Sequence, residues 1–342
     1  MPPAAKVGGN LASRMEGFVR RLYVLVCILA LAGCGGGGSS GPPPVPTATP
    51  APVVPQGTLY VASANGVEAF PLNANGPAAP QRSLAGFYEQ TAPGGEHFQL
   101  KEIATLGDGT LVAGITDYGF EEDVSCSFSL YAPAATSISQ SSQRPCYNGP
   151  YSPGVLYSVV TRSDGSIDYL IYGGEVDSTR ADGSYFTRLA VGTSSAAMAE
   201  DANGDLYLSR SSPNRIDVYR GGLVFGPTPS ASIPLPGGPG QLAVAPDGTL
   251  YVAYYTSAGY VAAFGPSGQN RTIGPLANGV SALAVDRIGE LYVAENGGTK
   301  VDVVDVFAAN ANGAAASLRE LVTPVPANAP DGNLILSIAI AD

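Results

Sequence analysis

Tryptophan is absent from the 342 residues, histidine occurs once, and 17 lysines and arginines face 28 aspartates and glutamates. Each scarcity excludes something. A single histidine rules out the multi-histidine zinc sites. A formal charge of −11 repels nucleic acid and anionic headgroups. Four cysteines in a chain of this length do not make a disulfide-dense scaffold. After residue 34 no segment carries an apolar period of 3.6, so a helical bundle is excluded. The only long apolar run, Leu22 to Ala32, is too short to span a bilayer as a helix.

What is present is repetition. Glycine (44), proline (29) and tyrosine (18) are abundant. Gly279 to Asn296 reads GVSALAVDRIGELYVAEN, two apolar runs around a polar turn at Asp286–Gly289, which is a β-hairpin signal. Gly240 to Ala253 repeats it as GQLAVAPDGTLYVA. The second half recurs from Gly57, Gly109, Gly165, Gly204, Gly248 and Gly289. Six copies roughly 40 to 55 residues apart, all strand and turn, predict a β-propeller. The fold class is all-β, with six four-stranded blades in one domain over residues 56–342, and the irregular stretch Gly109 to Tyr185 leaves five or seven blades as the alternatives.

Two further features set the organisation. AFPLNANGPAAPQR, from Ala69, lies over VFAANANGAAASLR, from Val306, so the duplication covers the outer strands too. The first GTLYVA follows a proline-rich stretch and has no inner strand before it, while the chain ends in LILSIAIAD. SIAIAD matches SALAVD of Ser281–Asp286, so the C-terminal strand is expected to pair into blade one and remove an exposed edge.

The N-terminal segment reads as an address. Arg20 and Arg21 precede the apolar run, and Leu31-Ala32-Gly33-Cys34 follows it; this is the layout of a secretory signal. The tetrad LAGC resembles the bacterial lipobox, which implies a signal over residues 1–33 and diacylglycerol on Cys34. A start at Met15 would give a signal of ordinary length. Removing residues 1–33 takes away Lys6, Arg14, Arg20, Arg21 and Glu16, leaving 13 basic and 27 acidic residues, near −14. Residues 34–55, rich in Gly, Ser and Pro, form a tether that is flexible at first and stiffer later. Gly35 after the anchor points, by resemblance to lipoprotein sorting, to the outer membrane of a bacterial envelope. The membrane is thus one partner, through the lipid on Cys34, and the domain itself is expected to be monomeric.

Cys27 falls in the apolar run. Cys126 and Cys146 remain, in an exported domain where disulfides persist. They sit at the start of one strand and the end of the next, so a hairpin brings them together as a structural disulfide.

LYLSRSSPNRIDVY (Leu206–Tyr219) and ALAVDRIGELYVAE (Ala282–Glu295) resemble NHL-repeat propellers and the wider gluconolactonase-like six-bladed group. The acid usual after LYVA appears once, as Glu295, where other copies carry Ser63, Ser209 and Tyr254. Some members of that group are lyases or lactonases that hold a divalent metal at the axial channel; others are scaffolds.

Candidate chemistry is sparse. His97 stands just before the inner strand of blade two and is the one candidate general base, yet no strand-to-helix GxSxG elbow accompanies it. Asp-Gly and Asn-Gly pairs are read as two-residue hairpin turns, and no EF-hand loop is present. At the channel mouth, where b–c and d–a loops meet, stand Asp117, Glu175, Arg210, Tyr254, Glu295 and Asn296. Asp117, Glu175, Glu295 and Asn296 make an oxygen-rich metal site if they converge. Two readings follow. One is a non-catalytic binding or scaffold module without cofactor, whose partner is an envelope protein, peptide or glycan. The other is a lactonase or lyase using one divalent metal such as Ca²⁺.

Overall fold

The computed structural model describes residues 57–342 except 64–65, 86, 88–96, 119–123, 147–153, 191–194, 222–223, 227, 269, 297–301 and 324–333, and of His97, Ile138 and Pro145 the backbone alone. The signal segment, Cys34 and the tether lie outside the described residues. What is described is a ring of six antiparallel four-stranded sheets.

From axis to rim, blade 1 is Ile335–Ala341, Thr58–Ser63, Gly66–Pro71 and Arg82–Ala85. Blade 2 is His97–Thr105, Leu111–Tyr118, Val124–Tyr131 and Ser142–Pro145. Blade 3 is Leu156–Thr161, Ile167–Ile171, Glu175–Thr179 and Tyr185–Ala190. Blade 4 is Ser195–Glu200, Leu206–Ser211, Asn214–Tyr219 and Ala231–Pro234. Blade 5 is Gly238–Val244, Leu250–Tyr255, Gly259–Phe264 and Asn270–Leu276. Blade 6 is Gly279–Val285, Leu291–Asn296, Asp302–Phe307 and Arg319–Val322. Each inner strand contacts those of its two neighbours, and the ring is closed. Among the described residues no helix is long and apolar enough to cross a membrane.

The LYVA runs are continuous rather than alternating because each blade buries both faces. Successive side chains of a strand point to opposite faces. Leu59 and Val61 pack with Tyr292, Ala294 and Val304 of blade 6, while Tyr60 and Ala62 pack with Leu111 and Ala113 of blade 2. Six apolar clusters result, one in each seam between blades. Each fully buried Val, Leu or Ile contributes about 1.5–3 kcal/mol before entropy is charged against it.

The C-terminal strand closes the ring as expected. Leu59 pairs with Ile340, Tyr60 with Ala339 and Val61 with Ile338. The duplicated NANG turn supplies a second closure at the rim. Asn75 Oδ1 accepts the Glu320 N–H at 3.2 Å, and Gly76 and Pro77 run parallel to Leu321 and Val322 of blade 6. One blade earlier Asn312 Oδ1 accepts the Thr272 N–H at 3.2 Å, and the Gly313 N–H reaches Thr272 O at 2.6 Å. Each NANG turn thus hooks the rim strand of the preceding blade. The same duplication places Arg82 on the Tyr60 hydroxyl (2.6 Å) and Arg319 on that of Tyr292 (3.1 Å).

The Asp-Gly turns differ from expectation. Leu106 N–H bonds Thr110 O and Gly109 N–H bonds Leu106 O, both at 2.9 Å, which encloses a three-residue loop. Gly109 takes the left-handed conformation at φ +80°, and Asp108 Oδ1 accepts the Thr110 N–H. This is a type I turn followed by a left-handed glycine, not a two-residue turn. The pattern repeats at Gly165, Gly183 and Gly248.

Cys126 and Cys146 are bonded, with Cα atoms 5.4 Å apart. The bond staples the third strand of blade 2 to the end of its rim strand, as hairpin geometry predicts.

Candidate ligand site at the axial mouth

Antiparallel order puts all second-to-third-strand turns, and all links to the next blade, at one end of the ring. Asp117, Glu175, Arg210, Tyr254, Glu295 and Asn296 stand at that end. Strand alternation then sends each to a different seam. Asp117 shares the face of Leu111 and Ala113, toward blade 1. Glu175, paired with Ile171, faces blade 2. Arg210 follows Leu206 and Leu208 toward blade 3, and Tyr254 follows Leu250 and Val252 toward blade 4. Glu295 follows Leu291 and Val293 toward blade 5, and Asn296 follows Tyr292 and Ala294 toward blade 1.

Their contacts agree with that dispersal. Arg210 Nε donates to Asp217 (3.1 Å) and its Nη1 to Ser195 Oγ (3.1 Å). Burial raises the Asp217 carboxyl, but hydrogen bonds from Arg215, Ser232 and Arg210 overcome this and leave it below the usual range. Glu295 is buried, and its Oε2 accepts the Asn278 N–H at 2.9 Å; burial raises its pKa, the Asn278 bond opposes this, and nearby Asp305 adds to it. Tyr254 is buried against Tyr260, rings stacked at 5.3 Å. Asn296 keeps a buried Oδ1 with no hydrogen-bond partner among the described residues. His97 opens the inner strand of blade 2 opposite Tyr118. Among the described residues no three His, Cys, Asp or Glu side chains gather to hold a metal ion.

The axial side chains come instead from a feature that sequence reasoning missed. All six inner strands break register in their upper half. A bulge inserts a residue with no partner and re-aims its side chain. The inserted residues are Leu336 in blade 1, Lys101 in blade 2, Tyr157 in blade 3 and Ser281 in blade 6. Blade 4 carries Ala196-Ala197 there and blade 5 Gly240-Gln241. An inner strand has its own blade on one side and neighbours on both faces, so an exposed side chain on it opens on the channel. One wall therefore carries Lys101 and Tyr157, and the opposite wall carries Gly240, Gln241 and Ser281, with neither charge nor ring.

Tyr157 is 41% exposed and Tyr172 53%, with ring centroids 6.3 Å apart. Lys101 Nζ lies 5.5 Å above the Tyr118 ring and donates to Gln99 Oε1 at 2.5 Å. The Leu156 N–H donates to Thr116 Oγ1 at 3.1 Å, which ties the strand bearing Tyr157 to the strand ending in Tyr118.

Below the bulges the seams are bridged by polar groups. Ser337 Oγ accepts the Ile103 N–H (3.2 Å), Glu102 Oε2 that of Val159 (2.5 Å) and Ser158 Oγ that of Met198 (3.2 Å). All three acceptors follow a bulge and reach into the next blade. Glu102 is the unusual member, a carboxyl where the others are hydroxyls. Burial pushes its pKa up to about 8 against the bonds from Val159 and Ser158, which favours the protonated acid near neutral pH inside the seam of blades 2 and 3.

Two cavities lie elsewhere. One of about 580 Å³ sits at the opposite end of the ring between blades 4 and 5, rimmed by Asp201, Asp205, Arg220 and Asp247. One of about 330 Å³ lies at the mouth end between the Thr256–Ala258 turn and Asn278.

No family model and no curated protein matches the chain. Solved structures do. A protein of unknown function from Bacteroides caccae is 11% identical with a TM-score of 0.57, over 84% of this chain and 99% of that one. A functionally unknown protein from Desulfotomaculum acetoxidans is 13% identical with a TM-score of 0.50, over 84% and 99%. Virginiamycin B lyase from Staphylococcus aureus is 13% identical with a TM-score of 0.40, over 64% and 69%. Identities this low speak of fold and not of chemistry. By its topology and by the first two of these likenesses, the chain is a six-bladed β-propeller.

Proposed function

We propose that this chain is a lipid-anchored propeller of the bacterial envelope that acts as a non-catalytic binding module, with its ligand at the axial mouth. One observation carries the reading: Tyr157 and Tyr172 stand 41% and 53% exposed at the mouth, beside a lysine presented by a bulge. Rigid exposed aromatics at a mouth supply contact area at little entropic cost. The anchor rests on Leu31-Ala32-Gly33-Cys34 after an apolar run. The test is fatty-acid labelling in cells together with pull-down of envelope components. The wild type takes up label and a Cys34→Ala variant does not. Retained label in that variant, or equal recovery of components by a Tyr157→Ala variant, overturns the respective half.

A second reading, a lyase or lactonase, has one observation in its favour. Glu102, in the seam just below the mouth, has its pKa pushed by burial up to about 8, the range that a general acid at neutral pH requires. Metal content after dialysis and a lactone and lyase screen separate the two. Stoichiometric metal, or turnover abolished by Glu102→Gln, supports the enzyme; neither supports the binding module.

A further inference from the structure

We propose that the mouth above the seam of blades 2 and 3 binds a ligand in which one six-membered ring carries a single carboxylate. The inference rests on the binding-module reading and names its ligand class. Lys101 is the only lysine among the described residues, in a chain of net charge −11. Among the described residues it forms no ion pair, and its one hydrogen-bond acceptor is Gln99 Oε1. An ammonium carries three N–H donors, so two remain for an incoming oxygen. Arg162, Arg188, Arg210, Arg215 and Arg319 each spend their charge on an aspartate or glutamate of their own or the adjacent blade. Arg82, Arg144, Arg180, Arg220, Arg271 and Arg287 stand on rim strands or turns, so among the described residues Lys101 is the one lysine or arginine carried by an inner strand, and its bulge lifts it toward the mouth.

The ring face follows from the neighbours. Tyr157 and Tyr172 are exposed side by side, and Tyr118 lies under the ammonium. A flat or chair-shaped ring laid on Tyr157 brings a carboxylate on its edge toward Lys101, whose ammonium stands over Tyr118 at the end of the strand that Thr116 ties to Leu156. The limit to one carboxylate comes from Glu175. It faces the same seam from the third strand of blade 3, farther from the axis, and a second anionic group there meets its charge. Polyanions are therefore poor ligands, and the overall charge of the chain acts in the same direction. A terminal acidic sugar and a simple aromatic acid both satisfy this chemistry.

The test is calorimetric titration of the full-length protein in detergent with three probes: a disaccharide ending in one uronic acid, its neutral hexose counterpart, and benzoate. The uronic disaccharide is expected to bind about tenfold more tightly than the neutral one, the size of a charge-assisted hydrogen bond. Lys101→Met removes that preference and Lys101→Arg retains it, while Tyr157→Ala weakens both sugars by about tenfold. Unchanged melting temperatures show that these variants fold. Benzoate binding alone assigns the site to an aromatic acid, and uronate binding alone to a sugar; either supports the inference. Equal binding of acidic and neutral sugar, a preference that survives Lys101→Met, or no binding of any probe at millimolar concentration overturns it and leaves the binding module standing. Conversion of a bound acid to product overturns the non-catalytic reading and leaves the ligand assignment standing.

Discussion

Ile338 and Ile216 are matched probes of ring closure. Ile338 lies in the closing strand, buried with Leu59, Val61 and Tyr292 in the seam of blades 6 and 1. Ile216 lies in blade 4, far from either end of the chain, buried with Leu242, Leu250 and Val252. Truncating a buried isoleucine to alanine costs the lost transfer energy plus a cavity term, about 3 kcal/mol. In a domain this large that lowers Tm by about 5 °C. If the C-terminal strand is an integral inner strand, Ile338→Ala and Ile216→Ala shift one cooperative transition by similar amounts. Calorimetry reads the shift, and hydrogen exchange of residues 335–341 reads local opening. A normal Tm for Ile338→Ala beside a lowered one for Ile216→Ala, with rapid exchange over 335–341, would refute the argument. The closing strand would then fray independently of the ring.

Three other expectations follow from the seams. Glu102 has a folded pKa of about 8, raised from 4.5, so the folded state holds a proton that the unfolded chain releases. Its contribution is therefore lost as pH rises from about 5 to about 8. Glu102→Gln flattens that decline, by about 2 kcal/mol once partial exposure to channel water is allowed for; identical pH–Tm curves for variant and wild type would count against it. In the seam of blades 3 and 4, Arg188 is fully buried between Asp168 and Glu200 (Nη1 to Oε2 2.6 Å) and lies over the Phe225 ring. Burial raises the Asp168 carboxyl and Arg188 opposes it, so Arg188→Met leaves Asp168 and Glu200 only the more exposed Arg162, at 3.7 and 3.1 Å, and costs about 3 kcal/mol, measured by denaturant unfolding; a midpoint shift below about 1 kcal/mol would contradict the pairing. The Cys126–Cys146 bond spans 20 residues and stabilises by about 3 kcal/mol in the loop-entropy picture. Reductant is expected to lower Tm in the wild type and to leave a Cys126→Ser, Cys146→Ser variant unchanged; equal response of both would refute it.

The fold was legible because burial on both blade faces writes an unbroken apolar run into each second strand, and six such runs repeat at blade spacing. Ring closure was legible because SIAIAD carries the same inner-strand pattern as SALAVD. The turn type was not, since a left-handed glycine after aspartate suits both a two-residue and a three-residue loop, and the choice lies in the hydrogen bond from Leu106 to Thr110. The mouth residues were placed at the right end of their strands but not on their faces. Counting by twos from Val293 would have turned Glu295 toward blade 5, and from Leu208 would have turned Arg210 toward blade 3. The bulges at Lys101 and Tyr157 left no trace in composition, because a bulge is a relation between two strands. Glu102 was invisible for the same reason: its role depends on the Val159 N–H of the next blade.

The most direct test of the account places a photoreactive phenylalanine analogue at position 157 or position 185 in cells that make the protein. Tyr157 and Tyr185 are 41% and 49% exposed, at the mouth and at the opposite end of the ring. The account predicts an adduct from position 157, lost in the Lys101→Met background, and none from position 185. Adducts from position 185 alone, or equally from both, would contradict a ligand site at the axial mouth.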